Sequence, residues 1–204
     1  IRIGAEVISL DDYSAGKEMN IDFLKDYKNF KAIKKSITDT EGMDAIIEGA
    51  DVIFNNAASK KNVCLLNPKK DLNVNGEGIL NLLEFAKKHN VRKFVHASTG
   101  SVYGEPVVFP TTEEHPLRPV SYYGVSKLAG ERYVDVFHRL YGMNTTILRY
   151  FHVYGPRQES NEFGGVVSIF IRNILEKMPI VVFGDGKQMR SFTWVKDLVR
   201  ANIN

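Results

Sequence analysis

The sequence predicts an α/β fold, a doubly wound parallel sheet with helices on both faces. Short apolar, β-branched runs recur along its 204 residues and read near-continuous rather than alternating, as strands buried on both faces do. Stretches with apolar residues at helical spacing separate them, and strand–helix alternation makes successive strands parallel. Hydrophobic residues at 44% and charged residues at 25% suit an ordinary globular domain that buries a core.

Taken in order, the strands are expected at residues 6–10, 30–33, 51–54, 93–97 and 145–151. A short helix is expected at 43–48. Residues 78–89 place Ile79, Leu82, Leu83 and Phe85-Ala86 on one stripe, and residues 127–141 do the same with Leu128, Tyr133, Val136 and Phe137. Residues 104–119 hold four prolines (Pro106, Pro110, Pro116, Pro119) and read as an ordered loop, and 155–165 as a second. A helix at 166–176 and the Gly184-Asp185-Gly186 turn open a smaller region that would cover a substrate. The expected division is a nucleotide-binding domain at 1–155, part of a substrate domain at 156–193, and at 194–204 a helix returning to the first domain.

Composition excludes several classes. The net charge of +3 comes without a block of Lys/Arg and interleaved aromatics, so nucleic acid is not an expected partner. No apolar run approaches the ~18 residues of a membrane span, and no secretory leader is expected. One cysteine, Cys64, allows no intrachain disulfide and suggests a reducing, cytoplasmic setting. No metal site is expected.

Chemistry concentrates at Tyr123-Gly124-Val125-Ser126-Lys127, where a tyrosine and a lysine four apart share one face of a helix start. A phenol titrates near 10, so service as a base near neutrality needs a fall of about three units, roughly 4 kcal/mol. A nearby ammonium favours the phenolate and is expected to supply it. Spacing alone also arises by chance on amphipathic helices. Position sharpens the reading: the strand at 93–97 runs out into Ser98-Thr99-Gly100-Ser101-Val102-Tyr103-Gly104. Ligands of open α/β sheets bind outside the carboxyl ends of strands. Hydroxyl, phenol and ammonium together make a set that could handle a proton beside a carbonyl or alcohol.

Five ordered segments resemble the landmarks of the extended short-chain dehydrogenase/reductases, in particular their nucleotide-sugar epimerase/dehydratase branch (UDP-glucose 4-epimerase-like). They are 51–58, ending Asn55-Asn56-Ala57-Ala58; 98–104; 121–127; 148–157, Leu148-Arg149-Tyr150-Phe151-His152-Val153-Tyr154-Gly155-Pro156-Arg157; and Gly184-Asp185-Gly186 with Arg190-Ser191-Phe192-Thr193-Trp194-Val195. The resemblance runs from Ile1 to Asn204. It implies a Rossmann-like fold and a bound NAD, with NADP disfavoured by Asp11, which matches the acidic residue on the adenosine ribose.

The resemblance also implies further roles. Ile37 would flank the adenine, beside Ser36 where an aspartate is usual. Ala57 and Ala58 would let the backbone approach the dinucleotide, Lys60 would lie near the nicotinamide ribose, and Asn73 would shape the active site. Tyr150 would pack near the nicotinamide, His152 would stand where an asparagine usually touches the sugar nucleotide, and Arg190 would grip a substrate phosphate. Thr99, Tyr123 and Lys127 are the expected catalytic set, with Thr99 also binding substrate and Tyr123 and Lys127 also contacting the cofactor.

Dehydratases of the branch carry an Asp-Glu pair after the threonine; Gly100 and Ser101 stand there and can move no proton. Decarboxylases usually keep a glutamate where Ser101 stands. The expectation is therefore NAD-dependent epimerisation of a nucleotide-diphosphate sugar through a keto-sugar. A one-way nucleotide-sugar reductase or dehydrogenase, or a non-catalytic nucleotide-binding scaffold, are the alternatives. By analogy, the helices at 78–89 and 127–141 would pair across a homodimer interface. The family's Gly-x-x-Gly-x-x-Gly loop is absent from the sequence. The chain therefore reads as truncated at both ends, lacking the first strand, whose place is between the 6–10 and 51–54 strands. Such a piece is expected to bind NAD poorly and to be inactive by itself.

Overall fold

The computed structural model describes residues 4–59, 61–161 and 164–204. The apolar runs form strands. β1 (Val7–Asp11) and β2 (Phe30–Lys34) pair in parallel, Val7 opposite Phe30 and Asp11 opposite Lys34. β3 (Val52–Asn55) pairs in parallel with β4 (Lys93–Thr99), Val52 opposite Lys93 and Asn55 opposite His96. β5 (Thr145–Tyr150) lies on the other side of β4. The β1–β2 and β3–β4–β5 sheets do not join among the described residues. Ile8 on β1 and Phe54 on β3 are 48% and 45% exposed, which is what unpaired flanks between those strands would leave in water.

The helices follow their caps. α1 (Met43–Ile47) is a short turn. α2 (Lys61–Leu66) and α3 (Pro68–Leu72) occupy a stretch where the sequence expectation had no helix. Their brevity hid them: Pro68 divides the pattern, yet it suits the first position of α3, and the Asn67 side chain caps that helix by accepting from Lys70 N–H. A π-helical turn, Asn73–Gly78, leads into α4 (Ile79–Lys88). α5 (Tyr122–Tyr141) starts earlier than the expected Lys127, because Ser121 accepts from Gly124 N–H at 3.1 Å and fixes the first turn there. Gly142, at φ 68°, ends it.

Met43, Ile79, Leu83, Phe94 and Val134 form the centre of the core, each at 0% exposure. The buried stripe of α4 is Ile79, Leu82, Leu83 and Ala86, as its periodicity predicts. The stripe expected on α5 is corrected. Of its members Phe137 is buried, but Tyr133 and Val136 are 40% and 43% exposed. The inward face carries Ser126, Lys127, Gly130, Glu131, Val134 and Phe137. Polar residues go inward because partners await them there, so hydrophobicity alone misplaces the face. Gly130 allows the close approach: a Cβ there would sit 2.5 Å from Ile79 Cδ1 and 3.0 Å from the Asn75 carbonyl oxygen.

The chain divides into two compact units, residues 1–148 and 149–204, so the first ends before the expected boundary at 155. In the second unit β6 (Val153–Tyr154) pairs in parallel with β7 (Thr193–Trp194). Between them runs α6 (Val166–Leu175), and α7 (Val195–Ile203) follows β7. Tyr150 belongs with this unit because its hydroxyl donates to Asn202 Oδ1 on α7 at 2.7 Å. No helix among the described residues is long and apolar enough to cross a membrane.

Candidate active site

β4 and α5 bring the predicted catalytic set together in the first unit. Thr99 ends β4 and caps the 3₁₀ turn Gly100–Val102, its hydroxyl accepting from Ser101 N–H at 3.2 Å. Tyr123, in the first turn of α5, shares a side-chain hydrogen bond with Thr99. Lys127 follows one turn along, at 1% exposure. Hydroxyl and phenol therefore meet at the strand end where the sequence placed them.

Burial dominates the electrostatics of Tyr123 and Lys127. Burial holds the Tyr123 phenol above its ordinary range. The Thr99 hydrogen bond pulls it down, while Asp71 and Cys64 push it up. Burial also drives Lys127 down to about 8, against the attraction of Glu131 and Asp71. The dry environment that should have strengthened an ammonium's pull penalises both charged forms at once.

Around Lys127 lies a buried polar network that sequence reading missed. Asn75 donates from Nδ2 to Asp71 Oδ1 and to Ser126 Oγ, both at 3.0 Å, and its Oδ1 accepts from Ser59 N–H at 3.0 Å. It thereby ties α3, the loop after β3 and α5 together. Ser98 donates to Glu131 Oε1, linking β4 to α5. On β4 His96 is held at about 3, first by burial and then by the Lys127 charge, so it is neutral. Its Nδ1 meets Asn55 Nδ2 at 3.2 Å. The available signal was polar residues at the inward positions of helices otherwise read as amphipathic. Among the described residues, no group of three or more His, Cys, Asp or Glu could hold a metal ion.

Of the expected cofactor residues, Asp11, Ile37, Ala57, Ala58 and Asn73 lie in the same unit. Asp11 closes β1, exposed, and its Oδ1 accepts from Tyr13 N–H at 2.7 Å. Ile37 is 5% exposed, and Gly78 makes room for it: a Cβ there would lie 2.7 Å from Ile37 Cδ1. Ala57 and Ala58 follow β3, half-buried. Asn73 hydrogen-bonds Glu77, and Asn75 rather than Asn73 takes the buried position of that turn. Lys60 lies outside the described residues. A carboxylate at one strand end and small residues at another fit a dinucleotide chemically. An acidic oxygen can accept from ribose hydroxyls, and side chains of one carbon leave the backbone reachable.

In the second unit Tyr150 is half-buried, and burial raises its phenol. His152, between β5 and β6, holds a left-handed backbone at φ 28° that is unfavourable for a side chain with a Cβ. Its carbonyl accepts from Thr193 N–H at 3.3 Å and its ring meets Phe192 edge-on at 5.9 Å. Arg190 is exposed, donating to the Met189 carbonyl oxygen at 2.7 Å. A cleft of about 600 Å³ in this unit is lined by Tyr154, Gln158, Ile171, Arg172, Leu175 and Trp194 among others, and by none of the three residues expected to bind cofactor or substrate.

A parallel α/β unit carrying threonine, tyrosine and lysine at a strand end defines a short-chain dehydrogenase/reductase type of site. The model of the NAD dependent epimerase/dehydratase family matches residues 1–204, and the chain belongs to that family. It is 38% identical over 201 residues to a putative UDP-glucose 4-epimerase of Methanocaldococcus jannaschii, covering 97% of this chain and 64% of that protein. It is 37% identical over 205 residues to the UDP-glucose 4-epimerase of Mycolicibacterium smegmatis, covering 98% and 65%. Among solved structures, a UDP-glucose 4-epimerase of Thermotoga maritima with UDP-glucose matches at TM-score 0.93 and 39% identity, over 99% of this chain and 65% of that one. The chain thus spans just under two thirds of the length of these relatives.

Proposed function

We propose that the protein containing this chain epimerises a nucleotide-diphosphate sugar with NAD, by way of a keto-sugar. The observation that carries the reading is the meeting of Thr99 and Tyr123 at the end of β4, with Lys127 one turn along α5. The likeness to UDP-glucose 4-epimerases supports it. So does a UDP-glucuronic acid 4-epimerase of Bacillus cereus, solved with UDP-glucuronic acid and NAD, which matches at TM-score 0.88 and 32% identity.

Asp11, Ile37, Ala57, Ala58, Lys60, Asn73 and Tyr150, with Tyr123 and Lys127, would hold the dinucleotide. Once bound it supplies a reversible hydride acceptor for one sugar carbon. Tyr123 takes the proton of the sugar hydroxyl at that carbon and later returns it. Thr99 hydrogen-bonds the same oxygen and keeps it in line with the phenol. Lys127 keeps a positive charge on the helix face beneath. His152 contacts the sugar nucleotide and Arg190 binds its diphosphate, as a guanidinium fork suits. Gly100 and Ser101 leave hydride exchange without dehydration.

The protein acts as a cytoplasmic homodimer in this reading. α5 offers the surface: Tyr133, Val136 and Leu140 form an outward apolar stripe, with Leu140 68% exposed. The test of the activity is Tyr123→Phe, which should lower kcat by about 10²–10⁴-fold with NAD still bound. Turnover close to that of the parent protein would refute the assignment.

A further inference from the structure

Lys127 shares the inward face of α5 with Glu131, one turn further along, and the two are 1% and 2% exposed. A buried ammonium with no counter-charge loses its proton, because its hydration is gone. The groups facing it decide whether that happens. From its own helix come Tyr123 and Glu131, and from α3 comes Asp71. From β4 comes His96, which is neutral, and α2 places Cys64 by the phenol. The π-helical turn contributes the amide of Asn75. The charges of α4 point elsewhere: Lys87 lies over the Tyr141 ring, Lys88 pairs with Asp44, and Glu84 is exposed.

Two carboxylates therefore act on one cation, and they differ in kind. Asp71 is held at Oδ1 by Asn75, while its Oδ2 has no hydrogen-bond partner among the described residues, and its charge also opposes ionisation of Tyr123. Glu131 accepts from Ser98, the residue before Thr99. Its charge favours the protonated form of Lys127.

We propose that Glu131 is a positioning residue: latched to β4 through Ser98, it keeps Lys127 cationic and fixed on the buried face of α5 below Tyr123. This rests on the reading of Tyr123 as the proton acceptor and deepens it. The motif that matters is then Tyr-x-x-x-Lys-x-x-x-Glu, about two turns of one helix in which the last member serves the middle one.

The experiment follows the Lys127 ammonium of the purified protein by nitrogen-detected NMR across pH, in the parent, Glu131→Gln, Glu131→Asp and Ser98→Ala. Glu131→Gln should move the Lys127 titration to lower pH by about one unit or more, and displace the pH profile of kcat in the same direction with KM nearly unchanged. Glu131→Asp, which keeps the charge, should restore most of the shift, and Ser98→Ala should give a smaller shift of the same sign. A Lys127 titration unmoved in Glu131→Gln overturns the proposal whatever the turnover. If that variant does not fold, an unmoved titration in Ser98→Ala overturns it. A shift as expected, alongside normal turnover in Tyr123→Phe, upholds Glu131 as the partner of Lys127 and removes the epimerase reading instead.

Discussion

Burying Lys127 gives the first unit an unusual dependence of stability on pH, and replacing it by methionine exposes the effect. The side chain titrates at about 8 in the folded protein and near the ordinary 10.5 when unfolded. The folded-state value is depressed for a base, so between these pH values the unfolded chain holds a proton the folded chain has released. Stability therefore rises as pH goes from about 8 to about 10.5, and below 8 the penalty is present in full. The gap between 10.5 and about 8, at about 1.36 kcal/mol per unit, amounts to about 3 kcal/mol. That is a large part of the ~5–15 kcal/mol available to a domain.

The assay is denaturant unfolding followed by circular dichroism in steps from neutral to alkaline pH, with parent and Lys127→Met side by side. Other groups titrate in both proteins and cancel in the difference. The absolute offset at neutral pH mixes two effects, since methionine removes a buried charge but leaves Asp71 and Glu131 without their cation. The slope separates them. Above pH 8 the parent should gain on the variant by up to about 3 kcal/mol. Two curves that stay parallel through this range would show Lys127 titrating as it does in water, and the account of a buried cation would be wrong.

Asn75→Ala should cost about 2–4 kcal/mol, because it deletes three hydrogen bonds and strands Ser59 N–H and one Asp71 oxygen in the interior; the denaturant midpoint measures it, and a loss under about 1 kcal/mol would mean water replaces the amide. Leu140→Asp should convert the proposed homodimer to monomer in light scattering, since it sets a charge in the apolar stripe of α5. An unchanged dimer mass would place the interface elsewhere.

Strands were legible because their side chains are apolar and β-branched: β2, β3 and β5 each fall within a residue of where the sequence places them, although β2 is largely exposed and β5 only half-buried. The α4 stripe was legible from its helical spacing. α5 was not, because its inward face is polar. Periodicity finds the side that is apolar, and on α5 that is partly the side facing water. α2 and α3, of six and five residues, are too short to display a period. Of the site, Thr99 and Tyr123 could be paired from motif spacing, since a strand end and a helix start leave few arrangements. Asn75 could not be chosen over Asn73, two residues away. The π-helical turn that rotates one inward and leaves the other beside Glu77 has no sequence signature in this reading.

The balance of charges at Tyr123 explains why the site needs so many buried polar groups. A fall of about three units in a phenol's pKa is worth roughly 4 kcal/mol. A single cation about 4 Å away supplies that much only at an effective dielectric near 20. Lowering the dielectric further would strengthen the attraction, but it would also discharge the cation: burial already holds Lys127 at about 8 and pushes Tyr123 upward. Glu131 and Asp71 relieve the first cost, and the Thr99 hydrogen bond part of the second. Asp71, however, works against the phenolate while it supports the lysine. In the proposed function, positive charge and hydrogen bonds carried in by what binds there would favour the phenolate further.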